Sequence, residues 1–313
     1  MTGKIPLLVL NLQTDEHLAL LREHYDVTYA LDPSSRAAAI AAQGAAFRAV
    51  LTNGGNGVSA EEIGAMPRLE LICAMGAGYE NVALDAARAR GIAVANGAGT
   101  NDDCVADHAF GLLIAAVRGI VKLDRQCRDG VWRDVIPFPP NVSSRRLGIV
   151  GLGTIGQKIA KRAGGFDMEI GYHNRKPKEG VAHRYFDSLL TLAAWADFLV
   201  VATPGGAGTK HLVGRDVIDA LGPRGVLVNI ARGSVVDTEA LAAALREGRL
   251  GGAGLDVYES EPHRPEPLVG LDNVVLTPHV AGWSPEAVTA SVMRFLANAE
   301  GHFSGRGLVS PVP

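Results

Sequence analysis

The chain has 313 residues, 47% of them hydrophobic and 20% charged, with a formal net charge of −3, enough length to bury two cores of ordinary domain size. It has no basic block to hold nucleic acid or an anionic membrane, and its longest apolar runs, such as FLVVA, are far too short to span a bilayer. The partner these numbers leave is a small molecule.

The amino-terminal stretch MTGKIPLLVLNL reads as a first strand and not as a signal peptide, because no small-residue cleavage site follows its apolar run. Further strands are predicted at AVLT, LELICAM and IAVAN, with helical RAAAIAAQGAAF and VALDAARARG between them, the alternation of a parallel sheet covered on both faces. The loop MGAGYENV, after the third of these strands, frees its backbone at Gly76 and Gly78 so that successive N–H groups can point at an anion; an ordinary βα turn fits the same residues. Cys73, Cys104 and Cys127 are odd in number, widely spaced and without ligand partners. They read as reduced packing residues of a cytoplasmic protein, with no metal site.

From Thr100 the stretch TNDDCVADHAFGLLIAAVRGI opens on capping and acidic residues, then puts Val105, Ala109, Leu112, Leu113, Ala116 and Ile120 on one face, predicting a long amphipathic helix. The segment RQCRDGVWRDVIPFPPNVSSRR that follows is irregular and carries an exposed-looking Trp132; it is a linker or an arm for another subunit.

A second sheet is predicted from RLGIVGLG through MEIGYHN, FLVVATP, GVLVNIARG, GAGLDVY and NVVLTPH. Chemistry-bearing residues recur at its strand ends: Gly151–Gly156, His173–Arg175, Thr203 and Pro204, Arg232, Asp256 and His279. In an open parallel sheet those ends face one crevice, where ligands bind. GLGTIG has the G-x-G-x-x-G spacing between strand and helix that receives a dinucleotide pyrophosphate, so Leu152, Gly153, Thr154, Ile155 and Gly156 are expected at the cofactor. About twenty residues on, the acid that would accept a ribose 2′-hydroxyl is missing, and His173, Asn174, Arg175 and Lys176 stand there instead. Cations at this place suit a 2′-phosphate, which predicts NADPH in preference to a weaker NADH. Ala202, Thr203, Pro204, Ile230 and Ala231, at two further strand ends, complete the expected cofactor contacts with Asp256.

His279 in TPHVAGW and Glu261 in YESEPH lie in loops after strands, and a carboxylate beside an imidazole raises its pKa enough to hold a proton near neutrality. Arg232 in NIARGS offers a fork suited to a carboxylate, with an N–H to polarise a neighbouring carbonyl; capping of the helix DTEALAAALREG is its plainer role. His108 and His211 sit in stretches read as helical and are taken as packing or capping residues.

The motifs GAGYENV, ARARGIAVANGAGTND, VADHA, GLGTIG, NIARGSVVD, GLDVYESEP and TPHVAG, in this order and over essentially the whole chain, resemble the D-isomer-specific 2-hydroxyacid dehydrogenases. Within that family the missing acid is similar to the NADPH-using glyoxylate/hydroxypyruvate reductases. The resemblance implies that Arg232, Glu261 and His279 are catalytic, that Met75, Gly76, Ala77 and Gly78 hold the substrate carboxylate, and that Asp256 lies near the nicotinamide. It also implies two doubly wound domains: a flavodoxin-like substrate domain, residues 1–99 and 286–313, and a Rossmann domain, residues 100–285, inserted into it. The substrate would be a small 2-oxo or 2-hydroxy monocarboxylic acid and the assembly a homodimer. TPGGAGTKHLVG is richer in glycine than the family's usual loop, and Trp283, placed to border the substrate, opens the alternative of an aromatic 2-oxo acid such as phenylpyruvate. A nucleotide-sensing corepressor-like protein is the alternative from another class, and is expected to carry interaction tails or a peptide-binding extension.

Overall fold

The computed structural model describes residues 3–312. The chain divides into two compact units, Met1–Asn101 with Trp283–Pro313, and Asp102–Gly282. The boundaries lie two and three residues from those expected, where the helices Asp102–Arg118 and Pro285–Phe303 begin.

Unit 1 runs β1 (Ile5–Val9), α1 (Asp15–His24), β2 (Tyr25–Tyr29), α2 (Pro33–Gln43), β3 (Ala49–Asn53), α3 (Ala60–Ala65), β4 (Leu71–Met75), α4 (Leu84–Ala89) and β5 (Ala93–Asn96). Its sheet has the order β2-β1-β3-β4-β5, parallel throughout, which is the flavodoxin-like arrangement. The central strands read as continuous apolar runs because both faces are covered. Val50 and Ile72 pack with Phe47, Ile63 and Met66 on one side, while Leu51 and Leu71 meet Val292, Phe295 and Ala299 of the carboxyl-terminal helix on the other. Strand β2 escaped the sequence reading: YDVTY follows α1 with no turn residue between them and alternates polar with apolar positions.

Unit 2 opens with α5 (Asp102–Arg118) and α6 (Ile120–Arg128), then β6 (Arg146–Val150), α7 (Thr154–Gly164), β7 (Glu169–His173), β8 (Arg184–Tyr185), α8 (Leu189–Trp195), β9 (Phe198–Val201), α9 (Arg215–Leu221), β10 (Val226–Asn229), α10 (Thr238–Arg246), β11 (Gly252–Leu255) and β12 (Val274–Leu276). The seven strands are parallel in the order β12-β11-β10-β9-β6-β7-β8, a Rossmann sheet whose strand order reverses between β9 and β6. The single long helix expected from Thr100 breaks at Gly119, where φ is +64°, and the two pieces bend by 59°. Ile120 therefore lies beyond the buried face and is half exposed. Helix α5 beds closely on the sheet, and a β-carbon at Gly254 would stand 2.9 Å from Leu112 Cβ.

Among the described residues no single helix is long and apolar enough to cross a membrane. All three cysteines are free: Cys73 is buried, its thiol pKa pushed up by burial, and Cys104 is partly buried and packs against the core of unit 2, whereas Cys127 is exposed, a correction to its expected packing role. Trp132, Val135 and Phe138 lie exposed on the irregular segment after α6.

Candidate active site

The glycine-rich turn between β6 and α7 is shaped by what its three glycines lack. Gly151 has φ +95°, and a β-carbon there would stand 2.8 Å from the Thr203 backbone, so this position must be bare for β6 to pass the end of β9. At Gly156 a β-carbon would run into the Gly151 carbonyl oxygen, so bareness there lets α7 seat against the strand. Gly153, the residue preceding α7, meets nothing within 4 Å and leaves its outer side open at the helix amino terminus. Open backbone backed by free helix N–H groups is the form that accepts a pyrophosphate, so these residues fit a dinucleotide.

The residues after β7 divide between holding the turn and facing water. The Asn174 side-chain oxygen accepts from Leu152 N at 2.8 Å, and the Lys178 ammonium donates to Leu152 O at 3.3 Å, so one residue of the turn is gripped from both sides. His173 Nδ1 lies 2.9 Å from Phe186 O, and Lys178 N donates to the Tyr172 hydroxyl, which fixes the loop's exit. Arg175 and Lys176 are exposed. Lys178, absent from the sequence reading, is a third cation and is half buried at the turn itself; only the fold, which carries the loop back over Leu152, reveals it.

At the ends of β10, β11 and β12 the acid–base groups come together. His279 Nδ1 lies 2.7 Å from Glu261 Oε2, and the other carboxylate oxygen accepts from Tyr258 N at 2.7 Å. With Nδ1 committed to Glu261, Nε2 is the nitrogen left to exchange a proton. The hydrogen bond that His279 donates to Glu261 raises the His279 pKa; burial and the Arg232 charge pull the other way, and the Glu261 and Asp256 charges add to the rise. Burial alone would raise the Glu261 pKa, but the His279 and Tyr258 hydrogen bonds, with the His279 and Arg232 charges, hold it below the usual carboxylate range. His279 itself has φ +54°, a left-handed backbone rare for a residue with a side chain and typical of functional loops.

That turn is tied down by Asp256, which is 1% exposed. Its main-chain oxygen accepts from His279 N, Oδ1 from Val280 N at 2.9 Å and Oδ2 from Ala281 N at 2.8 Å. Oδ1 also accepts from the Thr277 hydroxyl at 2.6 Å, and His108 Nε2 reaches Thr277 Oγ1 at 2.9 Å and Asp256 Oδ1 at 3.4 Å. Burial opposes ionisation of Asp256, but the bonds from His108, Thr277 and the two amides outweigh it and lower its pKa. His108 is thus no simple packing residue of α5. His211 also departs from its reading: it lies in a loop with φ +50° and bonds Glu259 at 2.7 Å.

Arg232 follows β10 and does not cap α10, whose start is held by Asp237. Its backbone is fixed by Asn229, whose side chain accepts from Ala231 N and donates to Arg232 O at 3.0 Å each. At Gly233 a β-carbon would strike the Tyr258–Glu259 backbone, so the arginine's loop lies flat on the loop that carries Glu261. Ile230 and Ala231 are buried beneath, while Ala202 and Thr203 are half buried and Pro204 exposed at the end of β9. Among the described residues no group of three or more His, Cys, Asp or Glu is placed to hold a metal ion.

In unit 1, the loop Met75–Gly78 leaves β4 with Gly76 at φ +73°. The Gly76 carbonyl accepts from Gly97 N at 2.7 Å and the Ala77 carbonyl from Asn96 Nδ2 at 2.8 Å. Among the described residues the N–H groups of Gly76, Ala77 and Gly78 donate to no other group of the chain. The Met75 sulfur is met by the side-chain amides of Asn11 and Gln13, at 2.8 and 2.9 Å. Trp283, also in unit 1, is 59% exposed just before the carboxyl-terminal helix.

A Rossmann sheet with a pyrophosphate turn at one strand end and an imidazole–carboxylate pair beside an arginine at others defines a nicotinamide-dependent oxidoreductase. Residues 110–281 match the model of the NAD binding domain of the D-isomer specific 2-hydroxyacid dehydrogenases. The chain is 44% identical to hydroxyphenylpyruvate reductase of Plectranthus scutellarioides over 87% of its own length and 88% of the relative's. It is 43% identical to glyoxylate/hydroxypyruvate reductase A HPR2 of Arabidopsis thaliana over 85% of each chain. A structure of NADPH-dependent glyoxylate/hydroxypyruvate reductase from Sinorhizobium meliloti, in complex with NADP and malonate, superposes with a TM-score of 0.91 at 35% identity, covering 99% of this chain and 97% of that one. The chain belongs to the D-isomer specific 2-hydroxyacid dehydrogenase family. It is an NAD(P)-dependent enzyme of 2-oxo acid reduction.

Proposed function

We propose that the protein reduces small monocarboxylic 2-oxo acids, glyoxylate and hydroxypyruvate first, to the D-2-hydroxy acids, with NADPH preferred to NADH. The observation that carries the reading is the His279–Glu261 pair at 2.7 Å, within the field of the Arg232 charge. The bound cofactor supplies the hydride to the 2-carbon. Arg232 binds the 2-oxo acid and draws charge toward its carbonyl oxygen, making that carbon more electrophilic. His279, protonated at Nε2, gives its proton to the same oxygen, and Glu261 stabilises the imidazolium until it does. Hydride and proton together account for the hydroxy acid. The unpaired N–H groups of Gly76, Ala77 and Gly78 support carboxylate binding by that loop.

Preference for NADPH is supported by the absence of an acid after β7 and by Arg175, Lys176 and Lys178, cations that favour a 2′-phosphate. The Sinorhizobium meliloti enzyme, named as NADPH-dependent, points the same way. The exposed arm residues Trp132, Val135 and Phe138 support a homodimer through unit 2. A second reading, an aromatic 2-oxo acid, is favoured by Trp283 and by the kinship with hydroxyphenylpyruvate reductase. Specificity constants for glyoxylate, hydroxypyruvate, phenylpyruvate and oxaloacetate, each with NADPH and with NADH, decide among these. The lead is expected for glyoxylate or hydroxypyruvate with NADPH. A lead for phenylpyruvate selects the aromatic reading, and a lead for oxaloacetate overturns both.

A further inference from the structure

We propose that Gly205 is a positioning residue for Arg232: the bare backbone at 205 is the surface against which the arginine stem is laid, and it sets where the guanidinium stands. A β-carbon at residue 205 would be 2.7 Å from Arg232 Cγ, 3.2 Å from Cβ and 3.8 Å from Cδ. The first of these is closer than carbon atoms approach one another, and the atoms concerned are at the root of the side chain, not its flexible tip. A methyl group at 205 must therefore turn the stem, and the guanidinium, at the far end of the lever, moves further than the methyl intrudes.

Neither partner can yield easily by moving its backbone. On the arginine side, Asn229 holds both Ala231 N and Arg232 O, and Gly233 is pressed on Tyr258 and Glu259. On the glycine side, the loop is closed by the Thr209 hydroxyl, which reaches Pro204 O at 2.9 Å and Gly206 O at 3.2 Å, while Gly206 adopts φ +130°, a conformation L residues avoid. At residue 205 the bareness of this glycine-rich loop is then a fit to the arginine, not slack. Gly208, three residues on, would meet nothing within 4 Å if it carried a side chain, and supplies the control.

The inference rests on the reading that Arg232 binds the 2-oxo acid, and a double-mutant cycle of Gly205→Ala with Arg232→Ala tests the two separately. Four quantities are read: KM and kcat for glyoxylate, the inhibition constant of oxamate, the dissociation constant of NADPH from protein fluorescence, and the unfolding midpoint. Gly205→Ala is expected to raise the glyoxylate KM and the oxamate constant about tenfold or more, with NADPH binding unchanged. Gly208→Ala should match the parent. In the Arg232→Ala background, where Cγ and Cδ are gone and only Cβ, at 3.2 Å, remains, the same methyl at 205 should change the four far less than in the parent, so the double variant folds even where the single one does not. Parent-like oxamate binding in Gly205→Ala, or the same loss in both backgrounds, overturns the positioning role. Parent-like activity in Arg232→Ala instead overturns the reading beneath it.

Discussion

At the scale of single residues, the His279–Glu261 pair sets a pH dependence whose sign follows from its geometry. Its hydrogen bond and charge raise the imidazole pKa, so the proton needed for reduction is held to higher pH than a free histidine would hold it. Glu261→Gln removes the negative charge and leaves the Arg232 charge opposing protonation. The alkaline limb of kcat for 2-oxo acid reduction should move to lower pH, while His279→Ala should cost about 10²–10⁴-fold in kcat. Stability follows the same linkage: the imidazole's share is complete below its ordinary pKa and fades as pH rises through its raised native value. A limb unmoved in Glu261→Gln, with chemistry limiting, would take the proton away from this pair. The chemistry of the two groups is legible in the motifs ESEP and TPH, because each has its own strand end. His108 and Lys178 were not legible, since each acquires its meaning only when a distant segment, β12 or the turn at Leu152, is folded against it.

At the scale of elements, the glycine-rich turn shows how much of a motif is packing. Of its glycines, Gly151 and Gly156 are bare because protein backbone lies against them, and Gly153 alone faces open space. Gly156→Ala would press its methyl on the Gly151 carbonyl and push α7 from β6, and should cost about 1–3 kcal/mol of stability, read by denaturant unfolding, whether or not a cofactor is present. Gly153→Ala, which meets nothing, should cost far less stability but weaken dinucleotide binding; the reverse order would mean that the turn is not shaped as described. Helix α7 is also held to α5 by Lys158 on Asp103 and Arg162 on Asp107, at 2.7 and 2.6 Å, so the helix resists a shift that would make room. The alternation of strands and helices was legible because buried parallel strands are continuous apolar runs. The break at Gly119 was not, since one glycine within an amphipathic pattern is compatible with an unbroken helix.

At the scale of the whole molecule, cofactor preference should appear as stability, with no turnover measured. A ligand that binds only the native state stabilises it by RT ln(1 + [L]/Kd), about 2.7 kcal/mol at a hundredfold excess over Kd. The pyrophosphate turn is common to both cofactors, whereas on the proposed reading Arg175 and Lys176 act on the 2′-phosphate alone and Lys178 on both the phosphate and the turn. NADPH should therefore raise the melting temperature more than NADH at equal concentration. Removing cations should act on NADPH selectively: if Arg175→Ala weakens it about tenfold, the stabilisation falls by about 1.4 kcal/mol, or roughly 3–6 °C for a unit of 150–250 residues. The NADH shift should stay where it was. Lys178→Gln should lower the NADPH shift too, but its bond to Leu152 O means that it also loosens the turn, so a smaller loss with NADH is expected alongside. Added salt should erode the NADPH advantage, since Arg175 and Lys176 are exposed and their attraction is screened. Equal shifts with the two cofactors in the parent protein would remove the 2′-phosphate from these cations altogether, and would leave the loop after β7 as a clamp on the glycine-rich turn.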